Sequence, residues 1–372
     1  MISTSSTPMS TRSVVDVSRE LAYTSYLRVA AMVGVVLIHV AGLTYAAAPE
    51  NSAAWLVAAF LITVTKWCVP MFVLVSGALV LRPPQHPSPM AFYRRRLSRI
   101  GIPLLFWHGV YLVLSEVRAP SLTWQEHVTR FIGGNTYTAL YFFWLILGLY
   151  LIAPFLWPVV QAYSRRVLLL AGAALTAVPV MDLVLRKWAG ALGEPMPVFE
   201  PTIVTHFVPY VGFFLLGYAL KDVVLRGARL HVTGLLALLA IIQLPVQITR
   251  GDAITAAIRV DVEVLNPLSY QGPIVGLSAL LLFVYVRGLV HPGSRLAAPP
   301  LARWCRALGD LSFGVFACHL LVFYVLSRLL GLPDQTGATT VPGLLVQNGA
   351  VVVLAFVVSW LLSRTPLLRR TI

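Results

Sequence analysis

Apolar runs of about 20 residues recur along the chain, separated by short polar segments rich in Arg, Pro and Gly. A run of that length matches the hydrocarbon core of a bilayer crossed by an α-helix. Ten spans are read, near 24–46, 54–81, 98–116, 138–160, 166–186, 203–221, 231–249, 268–289, 308–330 and 342–363. Sheet is excluded, because an open strand leaves its backbone unsatisfied in lipid and barrel strands alternate in polarity. The pattern predicts an all-α polytopic membrane bundle of about ten transmembrane helices. It divides into a polar N-terminal tail (1–22), a transmembrane domain (23–364) and a tail (365–372) too short to fold alone. No inverted or parallel repeat is visible, which disfavours the common transporter folds.

Composition agrees with this picture. Of 372 residues, 58% are hydrophobic and 11% charged, with a mean hydropathy of +0.81, whereas a soluble domain carries roughly a quarter charged residues. The net charge of +14 invites a nucleic-acid reading, but its distribution gives a simpler source. The N-terminus, the loops after the even-numbered spans and the C-terminal tail hold 19 of the 28 Lys and Arg, and the opposite loops hold 7. The positive-inside rule then places both termini in the cytoplasm, which requires an even number of spans, and no nucleic-acid partner is implied. Cys68, Cys305 and Cys318 lack CxxC spacing, so neither a disulfide framework nor a metal site is expected. The chain start also resembles a secretory signal, with Arg12 and Arg19 ahead of an apolar stretch and "YAAAPE" offering cleavage after Ala48. The stretch from Leu21 to Ala48 is too long for such a signal, and Arg28 and His39 interrupt it. It is therefore read as the first membrane helix.

Ionisable residues within spans are costly and mark candidate sites. Arg28 and His39, in "LRVAAMVGVVLIHV", are 11 residues apart, hence about 20° apart around a helix and about 16 Å along it. They share one face, with Arg28 near the cytoplasmic end and His39 past the middle. Singly, a snorkelling anchor and an interhelical hydrogen bond explain them; together they point to a polar seam. Lys66 falls at a similar depth to His39 if the first two spans are neighbours, and a backbone carbonyl is its alternative partner. His319, in "LGDLSFGVFACHLL", shares a face with Ser312 seven residues earlier, and a structural hydrogen bond is its plainer role. The loop "FYRRRLSRIGIP" gathers four arginines on the cytoplasmic side, where they meet anionic headgroups or phosphates. Glu116, Asp182, Glu200 and His206 stand at outer ends, as a pocket lining or as plain interfacial residues.

Five stretches, in order, resemble the acyltransferase-3 family of membrane enzymes that O-acylate glycans and related hydroxyl acceptors. "LRVAAMVGVVLIHV" has its Arg–ten residues–His spacing, and "VPMFVLVSGALVL" resembles its second-helix segment with Ser76-Gly77. Arg94 and Arg96 match its Arg-x-Arg loop, "YVGFFLLGYAL" its middle segment, and "LGDLSFGVFACHLL" its late segment ending in His319. Phe313 and Phe316 depart from the pattern, standing where tyrosines are common. The hydrolase-like domain that some relatives append is not seen.

The resemblance implies a multi-pass protein of a bacterial plasma membrane with no permanently bound cofactor. Its donor substrate would be acyl-CoA, acetyl-CoA first, and its acceptor a hydroxyl of an envelope glycan, a glycolipid or a similar molecule. Under it, Arg94, Arg96 and Arg99 hold the coenzyme's phosphates. His39 acts as general base or as an acylated relay, with Arg28 at the seam's entrance and Lys66 stabilising the oxyanion. Ser76, Ser312 and His319 form a secondary, structural set. Two rival readings use the same features: a transporter or flippase of a lipid-linked glycan, and a non-catalytic scaffold.

Overall fold

The computed structural model describes residues 19–82, 88–118, 123–134, 136–194, 196, 201–258, 261–331 and 337–372. Arg12, Glu200 and Arg259 lie outside them, as does most of the N-terminal tail. The described residues are helical and contain no strand. The helices are α1 (Ala22–Ala47), α2 (Ala53–Val64), α3 (Cys68–Val80), α4 (Pro89–Arg118), α5 (Trp124–Ile132), α6 (Tyr141–Ala162), α7 (Arg165–Ala191), α8 (Val211–Leu220), α9 (Ala228–Ile258), α10 (Val262–Leu265), α11 (Pro273–Leu289), α12 (Leu301–Leu329) and α13 (Val341–Arg364).

Eight segments among the described residues are long and apolar enough to cross a bilayer: α1, α2 with α3, α4, α6, α7, α9, α12 and α13. The two other predicted spans are shorter apolar helices, Val208–Leu220 and Pro273–Leu289. Proline sets both starts. Pro209 lies in a 3₁₀ turn that leads into α8, and Pro273 occupies the first turn of α11; its missing N–H costs nothing there and bars the helix from beginning earlier.

The second span is broken where the sequence predicts continuity. The hydroxyls of Thr63 and Thr65 donate back to the carbonyls of Ala59 and Leu61 at 2.7 and 2.6 Å, a local bond that competes with the ladder. Pro70 removes the bond that its nitrogen owes to the carbonyl of residue 66. Lys66 sits in this break between α2 and α3.

The main core cluster centres on α1, α3, α8 and α12, with Tyr23, Leu27, Met71, Leu74, Phe213 and Phe214 all sealed inside it, and two small clusters lie near α2. In α12, 61% of the most apolar stretch is buried, against 11% in α7. α12 is thus a central element, and α7 turns its leucines and valines outward as a lipid-facing helix does. Helices α3 and α8 cross without room for a side chain between them. A β-carbon on Gly77 would collide with the carbonyl of Phe214, and one on Gly217 with the carbonyl of Leu74. The Ser-Gly and Leu-Gly-Tyr segments therefore owe their glycines to each other.

Candidate active site

The seam predicted from the spacing of Arg28 and His39 is the interface of α1 with α12. Arg28 Nη2 lies 3.4 Å from Asp310 Oδ1 and 3.4 Å from Ser25 Oγ. Gly309 makes room for it, since a β-carbon there would stand 3.3 Å from the guanidinium. Eleven residues on, His39 meets His319, their ring centroids 5.2 Å apart and tilted by 40°. Low-numbered residues of α1 thus face low-numbered residues of α12, so the two helices run parallel and carry an ionic pair at one end and an imidazole pair deeper in. Ser312, on the same helix, donates to the carbonyl of Gly309 at 2.7 Å and so closes a local bond. Ser76 is half-buried on α3 beside the Gly77 crossing.

His39 is half-buried because it faces a cavity. Tyr141, Tyr270, Phe72, Phe142 and Phe316 complete most of the wall. The cavity measures about 20 Å³, room for about one water. Phe142 and Phe316 pack tilted at 5.2 Å, and Phe313 meets Phe143 edge-on at 5.2 Å, so Phe313 and Phe316 form part of an aromatic wall.

Lys66 does not meet His39. Its Nζ donates to the carbonyl of Leu268 at 2.7 Å and lies 5.4 Å from the ring centroid of Tyr270, so its charge bears on the cavity through Tyr270.

Two clefts open at opposite ends of the second span. At the α3–α4 end, about 590 Å³ is lined by Arg82, Arg95, Arg96 and Arg99 with Ser88, Ser98, Phe92 and Trp157. Positions 92, 95, 96 and 99 fall on one face of α4, which turns Arg94 away, exposed and outside the cleft wall. Arg96 is held between the rings of Phe92 and Tyr150, 5.5 and 5.1 Å from their centroids, an orientation that fixes its fork. At the other end, about 400 Å³ is lined by Glu50, Asp252, Asp261 and Glu263 with Trp55 and Gln247, and reaches Leu268. Of the outer residues picked out in the sequence, Glu116, Asp182 and His206 lie elsewhere, and Glu200 falls outside the described residues. Glu116 pairs with His127, Asp182 with Arg186 at 2.8 Å, and His206 Nε2 with the carbonyl of Gly133 at 2.8 Å.

Sequence reasoning missed Tyr141, Tyr270 and Asp310. Tyr141 sits in the apolar run "LYFFWL" and Tyr270 in the turn "NPLSYQGP", and neither position carries a local signal of chemistry. Asp310 is the sole carboxylate of the late segment, which was a usable signal for a partner to Arg28.

No curated protein and no solved structure matches this chain. The acyltransferase domain of the acyltransferase-3 family does, over residues 21–364, which takes in both clefts, the cavity and the α1–α12 seam. With nearly its whole length matched, the chain belongs to the acyltransferase-3 family.

Proposed function

We propose that this protein is a membrane O-acyltransferase that moves an acyl group, acetyl first, from cytosolic acyl-CoA to a hydroxyl of an envelope glycan, glycolipid or similar acceptor. One observation carries this reading: His39 faces a small, mostly aromatic cavity between a basic cleft at one end of the bundle and a polar cleft at the other. Phe72 lines the cavity and Val80 the basic cleft. They are eight residues apart on α3, hence about 12 Å, a distance that a pantetheine arm covers. Phe72, Phe142 and Phe316 must turn aside for the thioester to arrive.

The basic cleft is cytoplasmic in this proposal. Eight crossings and ten are both even, so either count leaves both termini on its side, together with Arg364, Arg369 and Arg370.

In the reaction, neutral His39 takes the proton of the acceptor hydroxyl as its oxygen attacks the thioester carbon. The C–O bond forms, the tetrahedral oxyanion collapses and the C–S bond breaks. The CoA thiolate then recovers the proton from His39, leaving an ester and free CoA. Tyr270, which lines the cavity with Lys66 Nζ 5.4 Å from its ring centroid, is the proposed donor to the oxyanion. The apolar walls keep water from hydrolysing the thioester. Arg28, tied to Asp310, holds the cytoplasmic end of the seam.

Purified protein given acetyl-CoA and a membrane glycolipid fraction is expected to release free CoA thiol only when the acceptor is present. Acceptor that remains unmodified, with no thiol released from acetyl- or succinyl-CoA, would favour the transporter reading. The cleft gives a second test. Arg96→Ala with Arg99→Ala is expected to raise KM for acyl-CoA about tenfold or more, the loss of one to two charge-assisted bonds, while kcat changes less than about twofold. Arg94→Ala, outside the cleft wall, is expected to leave KM near wild type.

A further inference from the structure

The seam holds a second imidazole that the reaction as written does not use. His319 is fully buried, its Nδ1 lies 2.7 Å from the carbonyl oxygen of Phe316, and its Nε2 has no hydrogen-bond partner. A carbonyl only accepts, so the contact requires the proton on Nδ1. In the neutral ring Nε2 is then a bare acceptor sealed inside the bundle, a costly arrangement unless a donor meets it. Among the described residues, no hydrogen bond engages either nitrogen of His39. The ring centroids stand 5.2 Å apart, and an N–H···N bond of about 3 Å sets two such rings at roughly this separation. A turn of His39 about χ2, a soft torsion, closes the bond. His319 itself is anchored, because the Tyr111 hydroxyl donates to the carbonyl of Ala317 at 2.8 Å and accepts from the backbone N–H of Leu321 at 3.2 Å.

We propose that His319 is a positioning residue whose Nε2 accepts the ring N–H of His39, fixing the tautomer and ring plane that turn the other, bare nitrogen of His39 into the cavity. This deepens the acyltransferase reading and rests on it, supplying the third group that orients a catalytic base. His319→Leu removes the acceptor. His319→Gln restores one, since its amide oxygen reaches the place of Nε2.

The test compares these variants in the full-length protein in membrane vesicles. His319→Leu is expected to lower kcat by about 10²-fold, the lower end of what an oriented base contributes, with KM for acyl-CoA within about twofold of wild type, and His319→Gln to recover most of the loss. No loss in the Leu variant, or equal losses in Leu and Gln, would overturn the proposal in favour of a packing role. Nitrogen-15 NMR of histidine-labelled protein in lipid adds a readout that needs no turnover. A single His39 tautomer with an N–H···N coupling to His319 is expected in wild type, and a mixture of tautomers in His319→Leu. Absence of that coupling sinks the proposal, whereas its presence in a protein that transfers no acyl group would sink only the proposed function.

Discussion

His39→Ala is expected to lower acyl transfer by about 10²–10⁴-fold at saturating donor, the contribution of a well-placed general base. The protein should still reach the membrane in normal amount. His39 lines a cavity and is not locked in the packed core, and alanine is a strong helix former. KM for acyl-CoA should stay within about twofold of wild type, because in the proposed function the donor's phosphates bind in the basic cleft, which Val80 reaches about 12 Å along α3 from Phe72 of the cavity. The check is the initial rate per unit of membrane-embedded protein over a range of acyl-CoA concentrations. A fall of less than about tenfold would take His39 out of the chemistry. A fall confined to KM would move it from catalysis to binding.

Gly217→Ala is expected to destabilise the bundle by about 1–3 kcal/mol or more, although it adds a single methyl group. The added carbon meets the carbonyl of Leu74, which is backbone and cannot rotate away, so α3 and α8 must part. Their separation opens the crossing beside Phe213, Phe214 and Leu74, three of the most deeply buried side chains. Gly190→Ala is the control. It lies within α7 and a β-carbon there meets nothing within 4 Å, so the change should be neutral or stabilising by up to about 1 kcal/mol. Melting midpoints of the detergent-solubilised proteins separate the two cases. Gly217→Ala melting together with wild type would show that α3 and α8 are not in close contact.

The sequence and the structure agree where the signal is local and differ where contacts are long-range. Hydrophobic length gave the long helices, because a span must satisfy its backbone internally over a fixed thickness. Helical period placed Arg28 and His39 on one face, and that face is the one α12 covers. The break at Lys66 was also written locally, in two threonines and Pro70, but mean hydropathy passes over it. The arginines of "FYRRRLSRIGIP" needed a helical phase. Once α4 is seen to begin at Pro89, Arg95, Arg96 and Arg99 fall on the face of Phe92 and Arg94 does not. What could not be read was the pairing of distant segments. Arg28 with Asp310, His39 with His319, and Lys66 with Leu268 are separated by hundreds of residues, and no periodicity reports which helices become neighbours. The cavity's two tyrosines belong to the same class.

Label transfer in sealed vesicles tests the central claim most directly. Radiolabelled acetyl-CoA is supplied to the cytoplasmic face, with wild type and His39→Ala compared side by side. Label in the glycan or glycolipid fraction from wild type, reduced at least a hundredfold in the variant, is the expected result. Labelling at the wild-type rate by a His39→Ala protein present in normal amount would contradict it, as would the absence of protein-dependent label from both acetyl- and succinyl-CoA.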